Sequence, residues 1–142
     1  DLAPAVSAQP KTKAFHYDNV KSAMAEETVI ALCLRDPAMM DQARELLPET
    51  FSAPLLGKVF SQLQEQAKQG MTPNLAGLTD FTAEEMAHVA GILQRHQGPV
   101  SDQALRDSIS VIRQTHQFKT AQSDDDLLAL RRRLQESKGI KV

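Results

Sequence analysis

AEETVIALCLRDPAMMDQARELLPETFSAPLLGKVFSQLQEQAKQG, residues 25–70, decides the fold class. Its apolar residues recur at intervals of three and four rather than alternating, which is the period of an amphipathic helix. Prolines cut it into three helices. The first begins near Asn19 and stops at Asp36-Pro37, where Asp36 can cap the next helix and Pro37 can take its first position. The second carries Met39, Met40, Ala43, Leu46 and Leu47 on one apolar face and ends at Pro48. Phe51 falls in a loop, and Ser52 is the expected cap of a third helix with Pro54 early in it. Leu55, Leu56, Val59, Phe60 and Leu63 make the buried stripe of that helix, and Gly70 fits its C-terminal cap.

Towards the C-terminus the helical signals continue. Thr72 and Pro73 predict a short capped turn, and Thr82 with Glu85 three residues on predicts a capping box. Met86, Val89, Ala90 and Leu93 would line the buried side of the helix that follows. Gly98-Pro99 breaks the chain, and Ser101 or Asp102 starts a long helix over about 102–121, with Leu105, Ile109, Ile112 and a half-buried His116 on one stripe. The polar connector 120–122 and the Ser123–Asp126 capping pattern then predict a last helix that folds back on the long one as a hairpin. Acids at 124–126 and cations at 131–133 and 138 have the polarity that a helix dipole favours. Leu127, Leu130 and Leu134 form a narrow apolar seam, which is expected to exceed what the opposing helix covers.

Towards the N-terminus, residues 1–15 have two prolines and no apolar period, so they read as a linker in a chain cut from a longer protein. The 142 residues hold 42% hydrophobic residues, which excludes wholesale disorder. No Asn-Gly or Asp-Gly turn and no alternating Val/Ile/Thr run suggests strands. The expected fold is therefore all-α: a bundle of five or six helices over 16–100, then the long helix and C-terminal hairpin over 101–142. No apolar stretch reaches the ~20 residues of a membrane span, and one cysteine, Cys33, in an apolar run reads as an inert core thiol. Together these point to a cytoplasmic protein.

The net charge of −2 argues against a helical DNA-binding domain, which needs a basic face. Glu85-x-x-His88 has the spacing of di-iron helices but lacks the second motif and the two further glutamates, so His88 is expected at the surface. His16, His96 and His116 stand singly, and no glycine-rich phosphate loop occurs. No catalytic residue, metal or cofactor is expected.

The 25–70 stretch resembles a pattern shared by two related families: the C-terminal helicase-binding domain of bacterial DNA primase and the N-terminal domain of the replicative DNA helicase. The resemblance rests on Glu26 and Glu27 in a helix that ends in Asp36-Pro37, a short helix, Phe51 after a proline turn, and Phe60 in the next helix. The linker, the long helix and the charged leucine-bearing end are similar to the primase version. What this implies is a non-catalytic module, monomeric alone, that tethers primase to the helicase hexamer through the helicase N-terminal domains. Phe118, Leu127, Leu130, Arg131, Leu134 and Lys138 are then the expected docking residues, the apolar ones supplying area and the cations register and on-rate. The helicase version would instead be an oligomerisation domain.

Overall fold

Asn19 opens the first helix by accepting the Ser22 N–H at 2.9 Å, and α1 then runs Val20–Arg35. The computed structural model describes residues 16–137, with side chains through Ala121. Asp36 ends α1 and starts α2, Pro37–Ala43, by accepting the Ala38 N–H at 3.0 Å with Pro37 in the first turn, as expected. A 3₁₀ turn at Pro48–Thr50 leads into α3, Pro54–Lys68, and a second 3₁₀ turn spans Leu75–Gly77. The helices α4, Ala83–Ala90, and α5, Ile92–Arg95, precede the long α6, Asp102–Ser137. Among the described residues every regular element is helical, as the sequence requires.

The helix α1 is the axis of the bundle. Its buried residues include Ala23, Glu27, Ile30, Ala31 and Cys33, which occupy all sides rather than one stripe, the pattern of a surrounded helix. Around it lie α2, α3, α5 and the first half of α6. Phe60 of α3 is fully buried and stacks on Phe51 with ring centroids 5.0 Å apart. Leu105 and Ile112 of α6 are also fully buried. Gly57 lets α3 pass this close to the turn before it, because a Cβ there would sit 3.0 Å from the Pro48 carbonyl oxygen. Gly70 takes a left-handed φ of 79° just past α3, the expected helix stop.

Several local expectations fail for tertiary reasons. Ser52 does not cap α3; the N-cap is Ala53, without a side-chain cap, and the orphan donors are met from α1 as described below. Thr72-Pro73 does not start the next turn, which Asn74 caps by accepting the Gly77 N–H at 2.8 Å. The Thr82–Glu85 capping box forms in both directions at 2.8 and 3.0 Å, but the helix it opens breaks at Gly91 into α4 and α5. Leu47 is 56% exposed, whereas Leu46 beside it is buried.

The largest correction concerns the hairpin. The helix α6 runs unbroken through residues 120–122, where the connector was expected, so residues 102–137 do not fold back. Nothing in the stretch 117–126 breaks a helix, since it holds neither glycine nor proline. The Thr120 hydroxyl donates back to the His116 carbonyl at 3.0 Å, using its own turn rather than a cap. His116 is exposed, not half-buried. The expected linker, residues 1–15, and Lys138 lie outside the described residues.

Candidate functional site

The first half of α6 packs in the bundle, and the last described side chains of the helix, 116–121, are exposed. The buried stripe along α6 is Leu105, Ser108 and Ile112, and Thr115 is the last half-buried position. From His116 to Ala121 every side chain is exposed, and Phe118 stands 65% open. The helix continues to Ser137, roughly 33 Å beyond Thr115 at 1.5 Å per residue. Where it leaves, a groove of about 320 Å³ separates it from the 49–52 turn, lined by Glu49, Phe51, His116 and Lys119 among others. A second, polar groove of about 480 Å³ lies between α6 and α2, with Glu45, Arg106 and Arg113 on its walls. The arrangement offers helix surface and mixed charge. Of the six expected docking residues, Phe118 is exposed here; the side chains of Leu127, Leu130, Arg131 and Leu134, with Lys138, lie outside the described residues.

Two adjacent carboxylates, both fully buried, tie the bundle together. Glu26 accepts the Ser22 hydroxyl at 2.7 Å, the Ser52 N–H at 2.8 Å, the Ser52 hydroxyl at 2.7 Å and the Ala53 N–H at 3.1 Å. It therefore caps α3 from α1, and a carboxylate suits the positive end of a helix. Glu27 accepts the Tyr17 hydroxyl at 2.5 Å, Arg95 Nε and Nη2 at 3.1 Å each, and His96 Nε2 at 2.8 Å. His88 Nε2 lies 2.7 Å from the Tyr17 oxygen and 4.0 Å from Glu27. The tyrosine has one proton and gives it to Glu27, so the proton between Tyr17 and His88 comes from His88. His88 is thus a 10%-exposed member of a buried network, not a surface residue. Two histidines, a tyrosine and a glutamate would suit a metal, but Arg95 already supplies the positive charge. Among the described residues no group of three His, Cys, Asp or Glu is placed to hold a metal ion.

The electrostatics follow from this packing. Burial alone would raise the Glu27 carboxyl, but the hydrogen bonds from His96, Arg95 and Tyr17 outweigh it and hold the group down to about 2. Burial first, then the bond to Glu27, pushes the Tyr17 phenol up. Burial and the neighbouring Arg95 lower His88, and Glu27 offsets part of that. Burial pushes the Cys33 thiol up to about 12, so it stays an inert thiol.

Acid should therefore destabilise the fold in two stages. His88 has a folded pKa below its ordinary 6.5, so its contribution is complete above that value and is lost as pH falls through it. Glu27 contributes above its ordinary 4.5 and loses roughly 3 kcal/mol as pH falls towards 2. Urea midpoints measured from pH 8 to 3 should show the first decline below 6.5 and a steeper one below 4.5. In His88→Gln the first stage should disappear.

Neither carboxylate was assigned a role from the sequence, although the signal was present: two consecutive acids sit in the middle of a helix whose residues 23–25 and 29–34 are apolar. Among the described residues no helix is long and apolar enough to cross a membrane. Comparison with known proteins gives one family. The DnaB-like helicase N terminal domain matches residues 18–114, more than two thirds of the chain. No curated protein and no solved structure matches it. The matched segment ends one residue before Thr115, where α6 leaves the bundle. With the fold, the buried α1 axis and this match together, the chain belongs to the DnaB-like helicase N-terminal domain family, a non-catalytic helical domain associated with DNA replication.

Proposed function

We propose that this chain is a non-catalytic interaction module that tethers a bacterial DNA primase to the replicative helicase hexamer, with α6 as the docking element. The observation that carries this reading is the continuation of α6 beyond the family-matched bundle. A helix that extends past its own core with Phe118 exposed gives a partner an edge to grip, and an aromatic anchor of this kind suits an interface centre. Leu127, Leu130 and Leu134 would extend the apolar contact, and Arg131 and Lys138 would set register. In this reading the parent protein is a primase, and the contact lies on the helicase N-terminal domains.

A second reading is favoured by the family description itself: the chain is the N-terminal oligomerisation domain of a helicase. The two differ in what the purified chain does alone. As a tether it sediments as a monomer at micromolar concentration and forms a complex with a purified replicative helicase hexamer. As an oligomerisation domain it self-associates in sedimentation equilibrium. Self-association without binding to the hexamer would reject the tether.

A further inference from the structure

The helices α4 and α5 are attached to the bundle in a different way from the others. Of their twelve residues only Val89 and Ile92 are fully buried. Leu93 adds a partly buried contact with the core, and the other links are polar: Arg95 and the adjoining His96 hold Glu27 of α1, and His88 meets Tyr17, which holds Glu27 as well. The connections on both sides are pinned. Before α4, Gln62 of α3 accepts the Thr79 N–H at 2.9 Å, and Lys58 binds the Asp80 carbonyl. Asp80 has a left-handed φ of 66°. After α5, Arg35 donates to the Gly98 carbonyl at 2.5 Å, and the space around Gly98 is open.

Apolar groups that leave a core find no replacement for their contacts in water, whereas every group of the Glu27 network can be hydrogen-bonded by water once it opens. A buried ion pair is therefore weak net attachment compared with the same volume of apolar packing. Elements held by few apolar contacts are the ones that open locally. We propose that α4–α5 is a flap, latched to α1 by Glu27 and pivoting between Asp80 and Gly98, that opens as a unit while α1, α2, α3 and the first half of α6 stay packed. Opening bares Val89, Ile92 and the Glu27 side of α1, an apolar strip beside a carboxylate that is a surface in the open state alone. The inference is independent of which partner the module serves.

Native-state hydrogen exchange of the 142-residue chain across low denaturant tests it. Amides of 83–95 are expected to exchange through one shared opening at least ~10-fold more often than those of 29–33, with little dependence on denaturant. Tyr17→Phe removes the hydroxyl that joins His88 to Glu27, and with it both of those hydrogen bonds, and should speed exchange in 83–95 several-fold while leaving 29–33 unchanged. Equal protection and equal denaturant slopes for the two segments in the unsubstituted chain would overturn the flap. So would a Tyr17→Phe chain in which both segments shift alike, or in which 83–95 does not shift.

Discussion

Glu26→Ala is expected to lower the free energy of unfolding by roughly 2–4 kcal/mol, from one buried backbone donor left without a partner at ~1–3 kcal/mol and one part-buried donor whose lost bond costs about 1 kcal/mol. The donors are the N–H groups of Ser52 and Ala53, at the start of a helix that carries no side-chain cap of its own. Ala53 is buried beside the fully buried Glu26, whereas Ser52, in the turn before α3, is part-exposed. That turn carries Phe51, whose ring stacks on the core residue Phe60, so movement there loosens the core itself. Glu26→Gln should recover part of the loss, because its carbonyl still accepts one N–H while its NH₂ is set against the other. Ser22→Ala removes a single hydroxyl donor to the same carboxylate and should cost about 1 kcal/mol. Urea unfolding monitored by circular dichroism reads all three through the midpoint at constant slope. A Glu26→Ala chain within ~0.5 kcal/mol of the unsubstituted protein, the usual range for surface changes, is incompatible with the cap.

Ending the chain at Ala121 should weaken binding to a replicative helicase hexamer by at least ~100-fold, about 2.7 kcal/mol, with little effect on the bundle. Stability should change by less than ~1 kcal/mol, because residues 116–121, immediately before the cut, are already exposed; surface changes seldom exceed that. The Phe118→Ser chain separates the exposed aromatic from the rest of the helix. At 65% exposure it contributes little to the fold, so a loss of ~10-fold in affinity with an unchanged urea midpoint assigns it to the interface. Titration calorimetry against the hexamer reads both variants. Full affinity in the truncated chain would remove α6 as the docking element and leave the bundle, or self-association, as the function.

The features that were legible in the sequence share a short range. The Asn19, Asp36 and Thr82 contacts that start helices span two or three residues, so the pattern that announces them is complete within one turn. Asn19, Asp36-Pro37, Thr82–Glu85 and Gly70 all mark boundaries that the structure has. Phe118 was named among the docking residues through the family resemblance, and its side chain is exposed; its part in docking is the proposal made above. His88 was misread, because nothing within a turn of it reveals that Tyr17, seventy-one residues earlier, closes over it. Ser52 was misread as a helix cap for the opposite reason. It is a good local cap, but its hydroxyl donates to Glu26, which also accepts the Ser52 and Ala53 N–H groups with a full charge.

From the sequence alone follow the helical class, the placement of most helix starts and stops, and the apolar stripes of α2, α3 and the first half of α6, because period and capping are local physics. The tertiary structure decided two things that no local pattern holds. It made α1 a helix surrounded on all sides, and it turned Glu26 and Glu27 from surface-like acids into buried hubs. Each depends on groups brought together across long stretches of chain, twenty-seven residues for Glu26 with Ala53 and sixty-eight for Glu27 with Arg95. A buried charge is stable only where its partners converge in space, and that convergence exists only once the helices have packed.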